Sequence, residues 1–168
     1  MANTYVKIAS VTAGAGGVTS FDFTNIPSTY SDLVLKLSAR SSSTAVDVRI
    51  VFNANTSNYS RRNIMGNGSA ASSSSFADAW IGQIGDSNNT ASTFANCEVY
   101  IPNYAGSTNK SYAVDQVQET NGTTAYMNLL AGLWSNTAAI TSIKIEGRDT
   151  TITMVQHSTA TLYGISRT

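Results

Sequence analysis

Alternation is the feature that most constrains this chain. Apolar residues recur at every second position in short runs, and turn-forming residues cut each run off before a long helix could be completed. Val46, Val48, Ile50 and Phe52 alternate with Asp47, Arg49, Val51 and Asn53. Successive side chains of a strand point to opposite faces, so such a run reads as a strand with an apolar face and a mixed one. Leu33, Leu35 and Leu37 alternate with Val34, Lys36 and Ser38 in the same way. Cys97, Val99 and Ile101 share a face in the segment ending at Pro102, and Ile143 and Ile145 oppose Lys144 and Glu146. Residues 150–154 and 158–165 are rich in the β-branched side chains that suit a pleated surface.

Turn chemistry separates the runs. The glycines of residues 13–17 lie between two strand-like segments and read as a hairpin loop. Asn25-Ile-Pro27-Ser28 reads as a turn, because Pro27 fixes φ and has no N–H to donate. Asn121-Gly122 is a hairpin signal between residues 117–120 and 123–126. Gly66-Asn67-Gly68 opens a longer loop that takes in the serines of residues 72–75, expected as an exposed, mobile tip. In the run 126–134, Tyr126, Leu129, Leu130, Leu133 and Trp134 also match helical spacing, so strand and short helix both stay open, with Gly132 counting against the helix. With no helical linkers and no repeat period, nine or ten short strands fit one all-β domain over residues 1–168, an antiparallel β-sandwich of jelly-roll type.

Composition narrows the function classes. Lys plus Arg number 10 and Asp plus Glu 10, so the basic face of a nucleic-acid binder is not expected, nor a polybasic membrane anchor. Charged residues are 12% of the chain, against about 25% in ordinary soluble proteins. Ser, Thr and Asn fill about a third of it, so hydroxyl and amide groups stand in for charge on the surface. Such a surface meets another protein with little desolvation cost and little like-charge repulsion between copies. The opening residues have no basic start and no apolar run, so no secretory signal is expected, and no run approaches a membrane span.

Catalytic chemistry has little to stand on. His157 is the only imidazole and Cys97 the only thiol, and no Gly-x-Ser-x-Gly elbow occurs. Cys97, on the apolar side of its strand, reads as a buried, inert thiol. Asp115 and Glu119, four apart on one strand face, are the best carboxylate pair, yet no aromatic cleft pattern surrounds them. Residues 85–90 are rich in oxygen ligands but lack the spacing of a calcium loop. The glycines of residues 14–17 lack the helix that a phosphate-cradling loop needs. No cofactor, metal or enzymatic activity is expected. Trp80, Trp134 and the tyrosines are the recognition candidates, since such rings suit interfaces and sugar faces. Packing in the core is the competing role for them. By nearness to loops, Tyr5, Trp80 and Tyr104 are the expected interface residues.

An ordered set of short segments runs the length of the chain. Phe23-Thr-Asn-Ile-Pro27-Ser-Thr-Tyr30-Ser-Asp-Leu33 is followed by Ser38-Ala-Arg40, Phe52-Asn53 and Asn58-Tyr59-Ser60. Then come Tyr100-Ile-Pro102-Asn-Tyr104, Gly132-Leu-Trp134, Ile140-Thr-Ser-Ile143 and Ser158-Thr-Ala-Thr-Leu162-Tyr163-Gly164-Ile165. The set resembles a family of small virion structural proteins of tailed bacteriophages. The resemblance implies a β-sandwich on the virion, made in the host cytoplasm. A strand-like segment beginning by Tyr5 leaves no room for a fibre shaft, which favours a capsid decoration (cement) protein on the capsid surface. Such a protein would have the major capsid protein as its partner and would form a homo-oligomer, by analogy a homotrimer, with no nucleic acid and no membrane involved. The alternative is a head- or tail-fibre tip module that binds a host-surface receptor or glycan.

Overall fold

The computed structural model describes residues 4–121 and 125–166. Within them the chain forms twelve strands and no helix. They are β1 (Tyr5–Thr12), β2 (Ser20–Phe23), β3 (Asp32–Ala39), β4 (Asp47–Phe52), β5 (Tyr59–Gly66) and β6 (Ala71–Phe76), then β7 (Trp80–Gln83), β8 (Ala95–Pro102), β9 (Lys110–Gln118), β10 (Tyr126–Trp134), β11 (Ile143–Gly147) and β12 (Thr159–Ile165). One sheet has eight strands in the order β1-β12-β3-β8-β9-β10-β5-β6, and the other has four in the order β2-β11-β4-β7. Pairing between the named strands is antiparallel throughout. From β1 to β4 the chain changes sheet at every step, and it does so again from β10 to β12. The hairpin β5–β6 and the strands β9 and β10 extend the large sheet past β8.

The alternating runs become the core. Leu33, Leu35, Leu37, Val99 and Ile101 of the large sheet face Phe21, Ile50, Phe52, Ile143 and Ile145 of the small one, all fully buried in a single cluster. Each such side chain contributes about 1.5–3 kcal/mol by leaving water. Phe52, Tyr59, Tyr112 and Trp134 close one end of the cluster, with neighbouring ring centroids 5.6–6.2 Å apart. Gly132 lies beneath the Tyr112 ring, which a Cβ would approach to 2.1 Å, so the position excludes any larger residue.

Several expectations are corrected by the strand order. Twelve strands replace the nine or ten expected. The serines of residues 72–75 are not a loose tip but part of β6, paired to β5. Serine has no strong strand preference, and β5 supplies the ladder. The glycines of residues 13–17 do not close a hairpin, because β1 and β2 belong to different sheets; the segment crosses between them. Residues 150–154 form no named strand, although Met154 bridges to Val18 and Ser41. The run with helical spacing is β10, hydrogen-bonded on both sides. Strands β9 and β10 do pair, with Gln118 opposite Tyr126, while Gly122 and Thr123 of the expected turn lie outside the described residues. Asn25 has φ of 55°, which suits the turn expected there.

Candidate functional site

Of the three expected interface residues, only Tyr5 presents itself to solvent. It is 52% exposed on β1 and meets Tyr163 edge to face at 6.2 Å. Trp80 is buried. Its indole N–H donates to Asp47 Oδ1 at 2.9 Å, and the Arg61 guanidinium sits 4.3 Å from its ring centre. Tyr104 is also buried, and its hydroxyl donates to the Pro27 carbonyl. Both rings fill the core, the competing role set beside recognition. Proximity to a loop in sequence does not tell whether a side chain turns in or out.

The chemical candidates do not converge. Cys97 is buried, and burial pushes its thiol pKa well up, helped by the nearby charges of Asp115 and Glu98. His157 is exposed in a turn with φ of 73°. Strand β9 ends at Gln118, so Asp115 and Glu119 do not share a strand face, and the Glu119 carboxylate accepts the Asn121 backbone N–H at 2.7 Å. The oxygen-rich loop already encloses a cation. The Arg40 guanidinium donates to the carbonyls of Thr90 at 2.8 Å, Asn89 at 3.0 Å and Thr93 at 3.2 Å. Asp86 in turn accepts the backbone N–H groups of Asn88 and Asn89. Among the described residues, His, Cys, Asp and Glu form no group of three placed to hold a metal.

The unusual chemistry lies in the far half of the large sheet. On its inner face, Leu35, Val99, Val114 and Leu130 form an apolar row across β3, β8, β9 and β10, and the row then ends at Asn63 and Ser74 on β5 and β6. The neighbouring inner row runs Leu37, Cys97, Gln116, Asn128. Gln116 donates to the Gln83 carbonyl of β7 at 2.6 Å and accepts from Asn128 at 2.6 Å. Gly82 of β7, with φ of 132°, lets the Gln116 side chain come within 2.6 Å of where a Cβ would stand. Beside this network, buried Arg61 donates to Asp78 at 2.5 Å and to Asn63 at 2.5 Å. It also lies 4.5 Å from the Phe76 ring centre. Burial alone would raise the pKa of Asp78, but the Arg61 hydrogen bond, the Trp80 backbone N–H and the charges of Arg61 and Arg148 hold it below the ordinary carboxylate value.

The outer face carries exposed apolar residues. One outer row reads Lys36, Glu98, Asp115, Leu129, Ile64, Ser73 from β3 to β6, three charged residues followed by two apolar ones and a serine. The next rows place Val117 beside Met127, and Ala113 beside Ala131 and Arg62. Leu129 and Met127 are each 62% exposed and Ile64 59%. An open groove of about 620 Å³ runs along Ile64, Leu129 and Ala131, bordered by Arg62, Ser73 and Ser75. Single exposed apolar residues are ordinary, but a contiguous set ringed by polar groups marks a contact surface. Here buried amides and an arginine join Tyr112, Val114, Leu130 and Trp134 on the inner face, while large aliphatic side chains stand exposed on the outer one, unlike a sheet whose outer face meets only water. No protein family, no curated protein and no solved structure matches this chain.

These exposed apolar residues escaped sequence reasoning. A signal was present in β9, where Gln116 and Gln118 share a face with Tyr112 and Val114, so the apolar face is not uniform along the strand. In β10 both faces carry large apolar residues, Leu130 and Trp134 on one, Met127, Leu129 and Leu133 on the other.

Proposed function

We propose that this protein is a structural component of a phage virion, a capsid decoration protein that binds the outside of the major capsid protein shell and stabilises it. The observation that carries an assembly role is the exposed apolar face of β9, β10 and β5 in a chain whose surface is otherwise neutral and hydroxylated. The virion setting rests on the ordered resemblance of segments from Phe23 to Ile165. The same reading takes β1-β12-β3-β8 and β2-β11-β4-β7 as the two sheets of a jelly roll, with β5–β6 and β9–β10 as insertions into it. A protein that binds the assembled shell and not its free subunits stabilises the shell by mass action. Many weak contacts gain further by being held together.

The test is stoichiometry in purified virions, measured by mass spectrometry against the major capsid protein. A copy number comparable to that of the shell subunit is expected, together with shells that rupture at lower temperature when the protein is missing. A few copies per particle would place it at a vertex or fibre instead, and would return the glycan-binding alternative.

A further inference from the structure

The outer face of β9, β10 and β5 carries its own complement. Arg62 stands on β5 and Asp115 on β9, on opposite sides of β10 and one outward-facing row apart. With strands about 4.8 Å apart and about 3.4 Å per residue, their Cα atoms are separated by about 12 Å across the sheet. The line between them passes over β10 between Leu129 and Ala131. Neither charge is spent within the chain. Arg62 donates to the Arg61 carbonyl at 3.2 Å, and neither Arg62 nor Asp115 has an ion-pair partner among the described residues. The other exposed charges in the row, Lys36 and Glu98, are paired to each other at 2.8 Å.

We propose that a second copy of this chain covers this face, through a two-fold contact in which Arg62 of each copy meets the partner's Asp115. The proposal deepens the assembly reading and rests on it, since it names what occupies the contact surface. A two-fold axis in the interface plane, perpendicular to the Arg62–Asp115 line, exchanges the two positions. Both ion pairs then form at once, as an isologous contact requires. Ile64 and Leu129 lie close to that axis, so in each copy they meet the partner's Ile64 and Leu129 and form an apolar centre with a charged rim. The groove beside Ser73 and Ser75 leaves room for these larger side chains. Equal numbers of acidic and basic groups mean that two copies approach without net repulsion. An unrelated partner would have to supply both charges at this spacing, whereas a second copy brings them already placed.

The experiment is sedimentation velocity of the full chain over a concentration series, with charge exchange as the discriminating step. Wild type is expected to form a dimer. Leu129→Asp is expected to be monomeric, with an unchanged far-ultraviolet circular dichroism spectrum and a single cooperative unfolding transition showing that it folds, at a midpoint that no longer depends on protein concentration. Arg62→Asp alone sets acid against acid and Asp115→Arg alone sets base against base, so each is expected to weaken the dimer by about tenfold or more. The double variant restores both pairs with their signs reversed and is expected to return within about threefold of wild type. A wild-type chain that stays monomeric, an oligomer indifferent to Leu129→Asp, or a double variant as weak as the singles would each overturn the proposal. If such a chain is nevertheless abundant on virions, only the self-contact fails and the decoration reading stands.

Discussion

The two halves of the eight-stranded sheet solve the same problem in opposite ways. In β1, β12, β3 and β8 the inner face is aliphatic, covered by the small sheet, and the outer face carries polar groups such as the Lys36–Glu98 pair. In β9, β10, β5 and β6 the inner face mixes core residues such as Tyr112, Val114, Leu130 and Trp134 with buried amides and the Arg61 cation, and the outer face gains exposed Leu129, Met127 and Ile64. The first half is held by burial of hydrocarbon. The second adds buried polar contacts to such burial, the Arg61–Asp78 pair chief among them. The large sheet thus continues past the four-stranded one with a mixed inner face, part aromatic and aliphatic and part polar. The aliphatic groups it then shows outside are available to something else.

Removing the ionic anchor is the most severe way to break this contrast. Arg61→Ala should cost about 4 kcal/mol in chemical denaturation, because it leaves Asp78 partly buried without its principal cation and strips Trp80 and Phe76 of theirs. Leu35→Ala, in the aliphatic half, should cost about 3 kcal/mol by the same measurement, through lost burial and the cavity left behind. A loss below about 1 kcal/mol at Arg61 would mean that the polar half is not held as described.

Acidification should separate the halves more gently. The carboxyl of Asp78 has its pKa below the ordinary value in the folded state, so its contribution is complete above that ordinary value and is lost as pH falls through the folded one. Wild type should lose stability below about pH 4, and Asp78→Asn should flatten that part of the pH profile. The smallest effect belongs to the outer face. Leu129→Ala should change the unfolding free energy of the monomer by no more than about 0.5 kcal/mol, measured in dilute solution, because a side chain already in water has little burial to lose. A large loss there would show that the face is covered within the chain itself.

Much of the first half was legible in the sequence and little of the second. Leu33, Leu35 and Leu37, or Ile143 and Ile145, announce their strands because one side of each is uniformly apolar. Strand β6 is opaque, since four consecutive serines say nothing about pairing and only the hydrogen bonds offered by β5 make them a strand. Trp80 and Tyr104 look like interface rings and are core, because exposure is decided by which layer lies over a residue. Asn128, Gln116 and Asn63 look like solvent-facing residues until the register shows them buried together. The mixing of polar groups into the inner face needs the strand order, and that order joins segments far apart in the chain.

One pairing also sets a timetable. Strand β1 is the first of the twelve to be synthesised, and it pairs with β12, the last. The central strand β3 takes β12 on its other side as well. Until Thr159–Ile165 has left the ribosome, β1 waits without that ladder and one flank of β3 stays open. The hairpins β5–β6 and β9–β10, by contrast, need only local closure and can form early. Completion of the sheet therefore waits on slow, long-range pairing, and the interval before it is when an unpaired β3 flank is open to wrong partners.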